Sequence, residues 1–200
     1  LGVQAAVDVD RSGFYPIGGG TATLQIGPSD PAPLALADRG EIGGVRVYSK
    51  AAMDLAEADV AERQADVIVD ELPETIAIRE RTVDYVDSPS PGSACCVRAD
   101  YTHSLAGFDA LGEKGKPAER VGREAADGFL AFEGTSAAVD RYMADQLLVF
   151  LALAGGAMAI PELTDHVETS LELLEAFGYD VGVDRREETG RLDSERTLTG

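Results

Sequence analysis

A chain of 200 residues with 44% apolar content is long enough to bury the core of one full-sized domain, or of a domain with a modest insertion, which excludes a disordered tail. Seventeen Lys and Arg against 36 Asp and Glu leave a net charge of -19, which repels nucleic-acid phosphates at long range and excludes a basic clamp covering the whole surface. Only Lys50, Lys114 and Lys116 are lysines, and carboxylates are spread over every segment. That is the surface of a protein adapted to high salt, where the Debye length shrinks to ~3 Å near 1 M; an ordinary acidic cytosolic protein is the alternative.

Alternation at Val3, Ala5, Val7 and Val9 predicts an opening strand, and a second is expected over Thr21 to Ile26 after the irregular stretch Phe14 to Gly20. Pro28, Pro31 and Pro33 interrupt the chain before short strands at Leu34 to Ala37 and Val45 to Tyr48. A helical period runs from Met53 to Leu72 and ends at Pro73. Strands follow at Thr75 to Val86, Ala94 to Tyr101 and Ser104 to Ala110. Pro117 then sits where a first-turn proline is tolerated, and helices are expected over Ala118 to Phe132 and Val139 to Ala154, the latter stopping at Gly155-Gly156. A strand near Ala157 to Ile160, a helix from His166 to Phe177, and two tail strands at Tyr179 to Val183 and Leu192 to Leu198 complete an α+β pattern of α/β layers. The adjacent Cys95 and Cys96 suit neither a zinc knuckle nor a loop-closing disulfide and read as one thiol on each face of a strand. The longest apolar run, Leu147 to Ile160, is too short to span a bilayer, and no signal peptide is visible, so a cytoplasmic protein without membrane contact is expected. The start at Leu1 rather than Met hints at a truncated or processed product.

Of the two histidines, His103 falls in a turn, whereas His166 follows Thr164-Asp165 at a helix start. Asp165 is expected as N-cap, with Glu168 closing a capping box. The positive end of the helix dipole favours neutral imidazole and attracts phosphate oxygens, which suits a nitrogen nucleophile attacking phosphorus. A hydrogen-bonded surface histidine is the plainer reading of that spacing alone. One helix earlier, Tyr142 and Gln146 stand four residues apart, so ring and amide share a face able to hold a base and a phosphate, unless they merely form a helix edge. The glycine-rich Gly112 to Gly122 stretch lacks the order of a Walker A loop, although its cations stand out in a lysine-poor chain.

Four stretches in this order resemble the RNA 3'-terminal phosphate cyclase family. They are Gly13-Phe14-Tyr15-Pro16 with Gly18-Gly19-Gly20; Gly112-Glu113-Lys114-Gly115 through Glu119-Arg120-Val121-Gly122; Ala144-Asp145-Gln146-Leu147 into Ala152-Leu153-Ala154; and His166 with Thr169. The resemblance implies the last βαβαββ-type unit of a cyclase/enolpyruvyl-transferase-like domain, carried by residues 1–42 and 109–200, with a smaller inserted α+β domain over 43–108. It implies ATP-dependent conversion of an RNA 3'-terminal phosphate to a 2',3'-cyclic phosphate through a covalent histidine-AMP intermediate. His166 would be the nucleophile, Tyr142 would stack on adenine, Gln146 would contact phosphate, Asp145 would orient its neighbours and Glu113 would approach the ribose. The partners implied are ATP and RNA with a 3'-phosphate end, with no DNA as main substrate. A divalent cation, Mg²⁺ or Mn²⁺, would offset triphosphate charge, but no ligand for it is identified in these residues. Ile17 stands where the family usually carries a basic residue. The competing expectations are a non-catalytic cyclase-like protein that assists ribosomal RNA processing, and an acidic interaction domain that binds neither ATP nor RNA.

Overall fold

A computed structural model describes residues 2–185 and 190–195. Strands β1 (Ala5–Arg11) and β2 (Thr21–Ile26) pair as an antiparallel two-stranded ribbon. Ala5, Val7 and Val9 oppose Ile26, Leu24 and Ala22, so strand periodicity collects all six apolar side chains on one face. That face is bare, with Val7 64%, Leu24 60% and Ile26 67% exposed. An apolar patch on an otherwise charged protein captures hydrophobic dyes. The chain is therefore expected to enhance anilinonaphthalene sulfonate fluorescence, and the double substitution Val7→Asp, Leu24→Asp to remove most of that signal.

Two separate cores follow. The first lies beneath a four-stranded sheet of order β5-β4-β6-β7, built from β4 (Ile42–Ala52), β5 (Ile78–Val86), β6 (Ser93–Tyr101) and β7 (Leu105–Leu111). One face of the sheet carries α1 (Val60–Glu71) and α2 (Ala118–Glu133), which enclose Val45, Val47, Ile68, Val97, Val121 and Phe129. Within this core Gln64 is fully buried; its amide accepts from Ser49 Oγ at 2.9 Å and donates to Ser93 Oγ at 2.7 Å, so helix and sheet share a satisfied polar link. The second core lies between α3 (Arg141–Ala154), α4 (Asp165–Ala176) and a four-stranded sheet of order β3-β8-β10-β9. Its strands are β3 (Leu34–Leu36), β8 (Gly156–Ile160), β9 (Gly182–Arg185) and β10 (Gly190–Ser194). Gly156 has φ +109, and a Cβ there would stand 2.2 Å from the Leu34 carbonyl oxygen, so only glycine lets β8 lie against β3 in this register.

β3 and β8 are parallel neighbours, although the entire first sheet body intervenes between them in sequence. The body is therefore an excursion within a β3-α3-β8 crossover. Arg39 joins the two ends of that excursion. Its guanidinium donates to the carbonyls of Phe132, Glu133 and Ala137 at 2.9 to 3.1 Å and lies over the rings of Tyr101 and Phe132. By packing, α2 shares the core of the body, so this core continues beyond residues 43–108.

Several boundaries differ from expectation for local reasons. The helix expected from Met53 divides into a 3-10 helix, Met53–Ala58, and α1, because Asp59 adopts a left-handed conformation (φ 49) between them. α3 begins two residues later than expected because Asp140 caps it, accepting from the backbone N–H of Tyr142 at 2.8 Å and of Met143 at 2.9 Å. The strand expected from Thr75 starts at Ile78. Of the last expected strand, residues up to Ser194 pair in β10, while 196–198 lie outside the described residues.

Cys95 is buried at 2% exposure and Cys96 is half-buried, one on each side of β6 as alternation requires, and both are free thiols. Burial raises both thiol pKa values, that of Cys95 to about 12, so the reactive thiolate of Cys95 is scarce at any pH below that. Ellman's reagent at pH 8 is expected to leave Cys95 unmodified in the native protein and to titrate both thiols in denaturant.

Candidate active site

α4 starts where Thr164 accepts the Val167 N–H through Oγ1 at 3.3 Å. Thr164, not Asp165, is the N-cap, and Asp165 is the first helical residue. The Thr164 hydroxyl takes the Val167 N–H and the Thr164 carbonyl takes the Glu168 N–H at 2.9 Å, so the expected Asp165–Glu168 box is not formed, and the N–H groups of Asp165 and His166 are left pointing out of the helix end. His166 is consequently the second residue of α4, exposed at the positive helix end with acidic Asp165 and Glu168 in the same turn. Val167 beside it is fully buried and anchors this first turn in the second core.

On α3, Tyr142 is 71% exposed, and the Arg141 guanidinium lies 5.5 Å from its ring centroid, so one face of the ring is occupied by a cation. Arg141 also reaches Glu162 at 3.6 Å, which ties the start of α3 to the loop before α4. Gln146, one turn on, is exposed and leaves its amide available. Asp145 is half-buried and points the other way, accepting a 2.7 Å hydrogen bond from Ser170 Oγ of α4. Ala144, Leu147, Leu148 and Leu151 bury the opposite side of α3 against the core that also holds Val167.

The fold thus brings the helix bearing His166 against the helix bearing Tyr142, Asp145 and Gln146. It does not bring Glu113 there. That residue is exposed in the turn from β7 to α2, on the other core, with its carbonyl accepting from Lys116 N–H at 3.0 Å. Three of the cations near it are paired, since Lys116 bonds Glu124 and the Leu111 carbonyl, Arg120 pairs with Glu124 at 3.2 Å and Arg123 with Glu71 at 2.8 Å. Ser170 was not singled out from sequence. Its spacing of four from His166 is the signal that finds it, because the two share a helix face.

A cleft of about 280 Å³ opens between the ribbon and the sheet body, lined by Arg11, Met53, Asp54, Asp87, Ser88 and Pro89. His166 and the α3 residues take no part in it. Among the described residues no group of three or more His, Cys, Asp or Glu side chains is placed to hold a metal ion. No helix among them is long and apolar enough to cross a membrane.

Residues 37–132 match the family model for the insert domain of RNA 3'-terminal phosphate cyclase, a span that takes in the whole β5-β4-β6-β7 sheet with α1 and nearly all of α2. Over 187 residues the chain is 45% identical to the RNA 3'-terminal phosphate cyclase of Halobacterium salinarum, covering 94% of this chain and 53% of that relative. The chain belongs to the RNA 3'-terminal phosphate cyclase family. Similarity extends beyond halophiles, to the proteins of the same name from Thermococcus onnurineus (38% identical, 88% of this chain and 52% of the relative) and Pyrococcus furiosus (36%, 88% and 52%). This cyclase-family chain spans about half the length of the curated relatives it matches. The matched span includes both helices of the candidate site.

Proposed function

We propose that this chain supplies the nucleophile-bearing part of an enzyme that converts an RNA 3'-terminal phosphate to a 2',3'-cyclic phosphate at the expense of ATP. The observation that carries the proposal is an exposed histidine at a helix N-terminus, on a helix packed against one that presents an exposed tyrosine ring and a free carboxamide from one face.

The chemistry follows from those groups. An imidazole nitrogen of His166 attacks the α-phosphorus of ATP; a P–N bond forms, the P–O bond to diphosphate breaks, and the ring gives up its N–H proton. The N-terminal N–H groups of α4 and the Gln146 amide are donors toward phosphate oxygens, and the free face of Tyr142 stacks adenine while Arg141 covers the other. The RNA 3'-phosphate then attacks the same phosphorus, taking AMP from the histidine and becoming a diphosphate-linked end. Finally the neighbouring 2'-hydroxyl closes on the RNA phosphorus and AMP departs. Adenylylation converts an oxide, a poor leaving group, into AMP, and the adjacent hydroxyl brings its own effective concentration. Glu113, exposed on the other core, is given no contact with the nucleotide in this scheme. Mg²⁺ or Mn²⁺ is proposed as the ATP counter-ion on the family resemblance alone, and no step is assigned to it through these residues. A location in the cytoplasm of a cell that accumulates salt is part of the proposal, and the pervasive acidity supports it.

The test uses α-labelled ATP in high salt with the protein joined to the remaining half of its length. An acid-labile, base-stable AMP adduct mapped to the peptide containing His166 is the expected result. Labelling confined to another residue overturns His166 as the nucleophile, and no labelling at all overturns the proposal in favour of a non-catalytic relative. The 200-residue chain alone is expected to label poorly, since it carries only part of the nucleotide site.

A further inference from the structure

We infer that Ser170 is a positioning residue, acting through Asp145 to hold the His166 imidazole in register with Tyr142 and Gln146. The inference rests on the function proposed above and adds to it a residue that touches neither nucleotide nor RNA.

The seam between α3 and α4 is otherwise apolar. Val167, Leu171 and Leu174 from α4 meet the core that Ala144, Leu147, Leu148 and Leu151 supply from α3. An apolar seam of similar side chains tolerates sliding, because shifting one helix along the other by a fraction of a turn exchanges one aliphatic contact for another. A polar pair within it does not. The Ser170 hydroxyl, half-buried, satisfies the half-buried Asp145 carboxylate at 2.7 Å, and sliding would leave a desolvated charge without its donor. Among the described side chains this is the hydrogen bond that joins the two helices.

Position along each helix connects that bond to the proposed chemistry. Ser170 lies four residues after His166, one turn and ~6 Å along the same face of α4. Asp145 lies three residues after Tyr142 and immediately before Gln146. Fixing Ser170 on Asp145 therefore fixes which turn of α3 stands level with His166. Thr169 cannot substitute, because its hydroxyl is already committed to the Asp165 carbonyl at 2.8 Å. Asp145, which the resemblance expects to orient its neighbours, has its carboxylate engaged by Ser170 of α4.

Two readouts test this. In the full-length protein, Ser170→Ala is expected to slow formation of the AMP adduct ~10- to 100-fold while changing half-saturation by ATP less than ~3-fold, since misplacing a nucleophile by about 1 Å costs rate rather than binding. Ser170→Thr, which keeps the hydroxyl, should restore the rate, and combining Ser170→Ala with Asp145→Ala should cost no more than either alone. In this chain, proton NMR distinguishes His166 from His103, the other histidine, and Ser170→Ala should shift or broaden the His166 ring signal alone. An unchanged adduct rate with an unchanged His166 signal overturns the inference, as do effects of Ser170 and Asp145 that multiply independently. Should the wild-type protein form no His166 adduct, the function proposed above falls, and the ring signal alone then decides whether Ser170 positions the imidazole.

Discussion

Replacing His166 by alanine is expected to abolish the covalent AMP adduct, with a loss on the order of 10³-fold or more in turnover of RNA 3'-phosphate ends. The magnitude follows from the bond in the proposed mechanism: the adenylyl group is carried on the ring nitrogen, and an alanine methyl offers no nucleophile in its place. Folding should survive, because His166 is exposed and the adjoining Val167 supplies the buried contact. Circular dichroism and urea midpoint are therefore expected to stay near wild type while labelling disappears. Tyr142→Ala is expected to act on binding instead. Base-on-aromatic stacking contributes about 1–3 kcal/mol, so half-saturation by ATP should rise roughly 5- to 150-fold while the adduct, at saturating ATP, still forms. An alanine at 166 that leaves the adduct intact would transfer the nucleophile to another residue.

Gly122→Ala is expected to destabilise the protein by about 1–3 kcal/mol, against the general rule that alanine in a helix is worth up to ~1 kcal/mol over glycine. α1 and α2 cross at a seam of small residues, Ala61 and Ala65 facing Val121, Gly122, Ala125 and Ala126. A Cβ on Gly122 would stand 2.4 Å from the Gln64 carbonyl oxygen and 3.2 Å from its carbonyl carbon, a clash with backbone that no rotamer relieves. α1 would have to move off, and Gln64 on α1 carries the buried link to Ser49 and Ser93, so strain would pass into the sheet. Gly128 lies on the same helix and provides the control. Its Cβ would meet only the Phe108 side chain at 3.5 Å, ordinary contact, so Gly128→Ala should be neutral or stabilising. Urea unfolding of the two variants is expected to move in opposite directions; a shared direction would mean that helix propensity outweighs the crossing.

The placement of the candidate residues was legible in the sequence: that His166 opens a helix and that Tyr142 and Gln146 share a helix face are local properties, set by capping groups and by 3.6 residues per turn, whereas the roles proposed for them came from the family resemblance. The capping residue was misplaced by one position because Thr164 and Asp165 are both competent caps, and only the direction of the chain entering the helix selects Thr164. Asp59, which breaks the helix expected from Met53, was invisible for a related reason: a left-handed aspartate is a small local cost that the docking of α1 on the sheet overrides.

The order of strands and helices, the acidic surface and the helix-start histidine were determined by the sequence by itself, since each depends on neighbours within a few residues or on composition alone. Tertiary structure decided that α2 joins the sheet body, that Arg39 closes the ends of that excursion, and that Ser170 meets Asp145. The Arg39 contacts join residues 93 to 98 apart and the Ser170–Asp145 bond joins residues 25 apart, and their free energy comes from desolvated partners that no local pattern announces.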